Sequence, residues 1–169
     1  MWLIINFGKH EGKSLPQILL CDPDWFFWAM ENGVFKKRLN LLFEAKRLAV
    51  MAKHIKIPRP DPETWYIRYV ITRDGKFLTF EIVETAEYLD PDVIRHDHLD
   101  LSFPRLLKTY DKLGYKLLLR QFRYYFFGSE GAHLTKKRCE EFFGNQSNFL
   151  EQGPSIVPEP ITQSETASA

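Results

Sequence analysis

Cysteine is scarce. Only Cys21 and Cys139 occur, far apart in the chain, which excludes a disulfide framework and a zinc ligand set and points to a reducing compartment. Their apolar neighbours mark both as core residues. Long apolar runs are missing too. No stretch of about 18 apolar residues could span a membrane, and no charged-then-apolar leader opens the chain. The expected setting is cytoplasmic, away from any membrane. Neither sign of charge is in excess: 23 Lys and Arg face 22 Asp and Glu, for a net of +1. A polybasic argument for nucleic acid therefore fails at the level of the whole chain. Catalytic pairings are also absent. No Ser-His-Asp or Cys-His arrangement can be assembled, the acids of 81–100 single out no pair, and no internal repeat appears.

Aromatic residues and charge patches are what the chain does have. Apolar residues make up 44% of the 169 residues and aromatic residues 15%, enough for one ordinary core or two very small ones. Charge is segregated. Residues 34–60 and 103–139 each carry +7, whereas 1–33, 61–102 and 140–169 carry −2, −6 and −5. Two basic blocks set between acidic ones say more than the total.

The densest pattern lies in the first thirty-five residues. Trp2-Leu3-Ile4-Ile5 reads as a strand. Phe7-Gly8-Lys9-His10-Glu11-Gly12-Lys13-Ser14-Leu15 follows, with glycines where the backbone needs φ > 0 or a close approach. Lys13-Ser14 starts a return strand. Ser14 and Gln17 stand at capping-box spacing, and Pro16 falls in the first turn of a short helix. Asp22-Pro23 restarts the chain, and Trp25 to Met30 forms an aromatic helix ending near Asn32-Gly33.

Phe7, Gly8, Lys9, Gly12, Lys13, Leu15, Asp22, Pro23, Trp25 and Trp28 thus occur in a fixed order. In these residues the stretch 3–35 resembles the small domain at the C-terminus of exodeoxyribonuclease X and related exonucleases, a module also appended to helicases and found alone. The resemblance implies an accessory role among nucleic-acid proteins, with DNA favoured over RNA and a nuclease or helicase as a partner. The exonuclease's own acidic metal-binding residues have no counterpart here.

Further along, residues 35–55 read as one long helix. Phe35, Leu39, Leu42, Ala45, Ala49 and Ala52 form its apolar stripe, Leu41, Leu48 and Ile55 widen it, and Lys37, Asn40, Glu44 and Arg47 form its wet face. Pro58, Pro60 and Pro62 then make a stiff boundary. Residues 65–72 and 76–83 form a hairpin through Asp74-Gly75, with Leu78, Phe80 and Ile82 on the expected core face. An acidic, irregular segment over 86–101 leads to a helix capped by Ser102, with Pro104 in its first turn. Gly114 is expected to end that helix. Residues 117–127 read as helix or as strand, with helix favoured. Thr135 caps a last helix over 136–143, and the Pro-, Ser- and Thr-rich end of the chain is expected to be disordered.

Three constellations carry possible chemistry. The glycine turn, with Lys9, His10, Gly12 and Lys13, offers backbone N–H groups and cations to a phosphate. Lys36, Lys37 and Arg38 extend that patch if they lie beside it; a plain hairpin is the simpler reading. Its glycine spacing is not that of a Walker loop. The second constellation is the row Arg105, Lys108, Lys112, Lys116, Arg120 and Arg123. Its steps of three and four place it on one helix face, provided the helix runs through Gly114. Such a row tracks a phosphate backbone, with Phe122, Tyr124 and Tyr125 offering faces for bases; a solvated helix face is the simpler reading. The third, His96-Asp97-His98-Leu99-Asp100, resembles the opening of the HxHxDH metal motif of metallo-β-lactamase-fold hydrolases. Position 101 is Leu where that motif needs His, so no metal is expected.

The expected fold is α+β, in two small hairpin-plus-helices modules at 1–57 and 63–148 that pack together, followed by a disordered tail over 149–169. The expected function is a non-catalytic nucleic-acid-binding accessory protein, of a phage or mobile element, with no cofactor and no catalytic residue. The alternatives are a protein-interaction module that docks on a nuclease, helicase or other host factor and, third, a metal-dependent nuclease.

Overall fold

The computed structural model describes residues 1–84 and 96–151. Among them are six helices and two two-stranded antiparallel sheets, an α+β fold as the sequence pattern predicts. Part of the acidic segment, 85–95, and the end of the chain, 152–169, lie outside the described residues. Residues 149 and 150, expected in the disordered tail, are placed against the fold. Phe149 is buried and bridges Ile55, and the Leu150 N–H donates to the His54 carbonyl at 2.9 Å.

The N-terminal hairpin is minimal. Ile4 bridges Ser14, and the Ile5 N–H donates to the Lys13 carbonyl at 3.0 Å. Helices α1 (Leu15–Cys21) and α2 (Pro23–Glu31) follow, each with proline in its first turn. The Ser14–Gln17 capping box does not form. Ser14 is fully buried against the hairpin, its hydroxyl has no partner among the described residues, and Gln17 instead donates to the Leu134 carbonyl at 3.0 Å.

Helix α3 spans Leu39–Ala52, shorter than the expected 35–55. Gly33 has φ 68, and the turns that follow place Phe35 in the core ahead of the helix. The buried stripe is Leu41, Ala45, Leu48 and Ala52, with Met51 beside it; Leu39, expected inside, is exposed. Leu39 lies about 200° round the helix from Leu41, so it faces away from the buried stripe.

Strand β1 (Ile55–Lys56) pairs with β4 (His98–Leu99), and the hairpin is β2 (Trp65–Ile71) with β3 (Phe77–Glu84). Gly75 has φ 81 in its turn. Opposite the step from Val70 to Ile71 the register skips Leu78, a one-residue bulge. The bulge brings Phe77 onto the face of Phe80 and turns Leu78 out to solvent, correcting the expected core face.

The remaining helices are α4 (Phe103–Lys108), α5 (Lys112–Phe127) and α6 (Lys136–Gly144). The break lies at 109–111, not at Gly114. Asp111 caps α5 by accepting from the Gly114 N–H at 2.8 Å, and its other oxygen accepts from the Phe77 N–H at 2.8 Å. A Cβ on Gly114 would stand 2.1 Å from that carboxylate, so Gly114 permits the close approach of the cap rather than ending a helix. Thr135 caps α6 as expected; Ser102 does not cap α4, because its hydroxyl donates to Asp100 at 2.6 Å. One cluster of buried side chains runs through both halves of the chain, from Ile5 and Leu15 to Phe80, Phe122, Phe143 and Phe149.

Candidate nucleic-acid interface

The glycine turn is built around an acid that the turn itself does not contain. Gly8 and Gly12 take φ 69 and 83, as their spacing predicts. Behind them Asp22 accepts from the Trp25 N–H at 3.2 Å, capping α2. Its second oxygen accepts from Lys9 Nζ at 2.7 Å and lies 3.0 Å from His10 Nε2. A carboxylate oxygen only accepts, so Nε2 carries the imidazole proton and Nδ1 faces Lys13 Nζ at 3.5 Å. The His10 ring is buried edge-on against Trp25, with centroids 4.8 Å apart.

This arrangement sets the protonation of the pair. Burial pushes the His10 pKa below its ordinary value, against the pull of Asp22. Burial works to raise the Asp22 pKa, but the hydrogen bonds from Lys9, the Trp25 amide and His10 outweigh it and hold the carboxyl below its ordinary value. The backbone cradle is also occupied. The Gly12 N–H donates to the Ile5 carbonyl at 2.9 Å, that of Lys13 to His10 at 3.1 Å and that of Glu11 to Gly8 at 3.2 Å. The expected phosphate nest is therefore a self-satisfied turn at these three positions.

Arg38 does lie beside this turn, its guanidinium 4.2 Å from the Phe7 ring centroid, and Lys36 and Lys37 are exposed on the same loop. Of the two tryptophans of α2, only Trp25 packs behind the turn. Trp28 is 45% exposed and is not a core residue.

The basic row does not share one helix face. Arg105 and Lys108 stand on α4, half-buried, and both are tied to acids of α2: Arg105 to Glu31 and Asp24, Lys108 to Asp24. Arg123 is half-buried, and its Nε has no partner among the described residues. The helix break at 109–111 and the packing of α4 on α2 separate Arg105 and Lys108 from the others, and partial burial sets Arg123 apart on α5 itself. What remains is Lys112, Lys116 and Arg120 on α5, all exposed, with no described acid in ion-pair contact. Each is one helical turn, about 6 Å, from the next. Leu113 and Tyr124, 67% and 53% exposed, share their side of the helix. Phe122, expected to offer a face to bases, is buried, and Tyr125 is stacked on Phe80 with centroids 4.9 Å apart.

The two histidines of the third constellation diverge. His96 meets the Tyr69 ring edge-on at 5.1 Å, whereas His98 stacks on His54 at 5.4 Å and contacts Asp97. No cluster of three or more His, Cys, Asp or Glu among the described residues is placed to hold a metal ion. Burial raises both thiols, that of Cys139 to about 12, so neither is an activated nucleophile.

Sequence reasoning missed the acids that neutralise the cations, Asp22 for the turn and Asp24 with Glu31 for α4. The Asp22-Pro23 helix start was a visible signal for the first; the pairing of α4 with α2 left none. No helix of the described residues is long and apolar enough to cross a membrane. Comparison with protein-family models, curated proteins and solved structures finds no match to this chain.

Proposed function

We propose that this chain is a non-catalytic nucleic-acid-binding accessory protein whose phosphate-tracking element is the exposed face of α5. One observation carries the reading. Lys112, Lys116 and Arg120 stand free of described acids at successive turns, while Arg105, Lys108 and Lys9 are held by carboxylates. A row of unneutralised cations beside a negatively charged polymer gains by releasing condensed counterions. Arg38, Lys36 and Lys37 add a second exposed basic group beside the glycine turn. The resemblance of residues 3–35 to the exodeoxyribonuclease X C-terminal module supports DNA as the polymer and a nuclease or helicase as the companion.

The test is fluorescence anisotropy of labelled oligonucleotides across a salt series. The reading expects affinity to fall steeply as salt rises. Absence of binding at low salt to both single and double strands would remove it.

A second reading has its own support. Leu106, Tyr110 and Leu113, each more than 60% exposed, crowd the α4–α5 junction. Adjoining exposed apolar side chains suit a protein partner. Co-purification of a stoichiometric protein, lost on Leu106→Ser with Leu113→Ser, would favour that reading.

A further inference from the structure

The C-terminal end of α5 borders a groove that the basic row does not use. Its volume is about 510 Å³. One wall is Tyr125 and Phe126 of α5 with Phe142 of α6, and the other is the stiff segment carrying Lys56, Pro58 and Arg59. No described acid lines it. The aromatic wall is fixed from behind. Tyr125 stacks on Phe80, and Phe126 lies 5.7 Å from Phe122 and 4.8 Å from Phe142, centroid to centroid. The cationic wall is stiff as well: proline restricts the backbone on both sides of Arg59, whose guanidinium sits 5.2 Å from the Trp65 ring centroid. The nearby acid Glu81 is bonded to Arg68, whose Nε donates to it at 3.0 Å.

We propose that this groove receives an unpaired nucleotide, the base against the Tyr125–Phe126–Phe142 wall and its phosphates on Lys56 and Arg59, so that the protein prefers single strands. This rests on the nucleic-acid reading above and adds a site to it. Fixed aromatic faces accept any base, because every base has a π-face, while a base paired within a duplex cannot enter a groove. Two cations with no competing described acid favour an anionic ligand and fit poorly with a purely apolar one. The groove also meets the basic face. Tyr124, exposed beside Arg120, lies edge-on to Tyr125 at 5.4 Å, about 100° further round the helix. A strand following Lys112, Lys116 and Arg120 therefore reaches the groove by turning over Tyr124.

The experiment compares a fluorescein-labelled dT12 with a 12-base-pair duplex on the full chain and on Lys56→Gln with Arg59→Gln, a pair that removes the charges and keeps part of each aliphatic stem. A dT12 carrying 5-bromodeoxyuridine is cross-linked in parallel. Tighter binding of dT12 than of the duplex is expected, with cross-links in the peptides that hold Tyr125 or Phe142. The double variant should lose about 10-fold affinity for dT12 and flatten its salt slope by roughly 1.4, with duplex affinity unchanged. Unchanged dT12 affinity in a folded double variant, or cross-links confined to residues 1–40, overturns the groove while leaving the nucleic-acid reading intact. Decaproline that binds the full chain, is lost in the double variant and leaves dT12 bound assigns the groove to a peptide and overturns the proposal. Failure of both oligonucleotides to bind at low salt removes the two together.

Discussion

Two aspartates cap two helices here, and they treat the neighbouring cations in opposite ways. Asp22 caps α2 with one oxygen and takes Lys9 and His10 with the other. Asp111 caps α5 with one oxygen, and its other oxygen accepts from the backbone of Phe77. The first cap therefore neutralises the basic residues beside it. The second ties a helix to a hairpin and leaves the cations of that helix to solvent. At these two helix starts, whether a neighbouring cation is left unpaired depends on where the second oxygen of the cap points.

The comparison breaks most visibly at Asp111. Asp111→Ala leaves two buried N–H groups, those of Phe77 and Gly114, without a partner. The expected loss is about 3–5 kcal/mol by chemical denaturation. A loss below about 1 kcal/mol would show that the cap does not hold α5 to the hairpin.

Asp22→Ala should cost less, about 2–3 kcal/mol, since one cap bond is lost and His10 remains neutral without its acceptor. The tryptophans sharpen the same region. Trp25→Ala removes the ring packed on His10 and Phe35 and should cost about 2–3 kcal/mol. Trp28→Ala, at an exposed position, should cost under about 1 kcal/mol. Equal costs would mean that the turn is not packed as described.

Acid should unmake the turn in two stages. The folded His10 pKa lies below 6.5, so the unfolded chain takes up the proton first and stability falls as pH drops below about 6.5. The folded Asp22 pKa lies below 3.8, so its contribution is present above that value and is lost as pH falls through the lowered one. His10→Gln should flatten the upper stage in denaturation curves taken from pH 7.5 to 4.5. An unchanged slope would contradict the neutral buried imidazole.

Much of this was legible in the chain and some was not, for identifiable reasons. Gly8, Gly12, Gly75 and the Asp22-Pro23 start were readable, because positive φ and helix starts are local demands on residue type. Helix is the favoured reading of 117–127 over strand, and these residues are helical. The break before Lys112 was misplaced, because Gly114 looks like a helix end until Asp111 is seen to need the space of its missing side chain. The bulge at Leu78 could not be read, since register is decided between strands. The row from Arg105 to Arg123 lost its first two members because pairing with Asp24 and Glu31 joins segments far apart in sequence, and its last to partial burial. The groove beside Arg59 left no mark in the sequence beyond three alternating prolines.

The smallest expected effect on stability belongs to the residues that matter most for the proposed function. Replacing Lys112, Lys116 and Arg120 together by alanine should leave stability within about 1 kcal/mol, since exposed cations without acid partners contribute little to folding. Binding of labelled dT12 is then measured from 50 to 300 mM salt for parent and variant. The account predicts weaker binding to every sequence tried and a log–log salt slope lower by about two, roughly 0.7 for each phosphate of a single strand no longer met. Parallel lines of equal affinity, in a variant as stable as its parent, would contradict it.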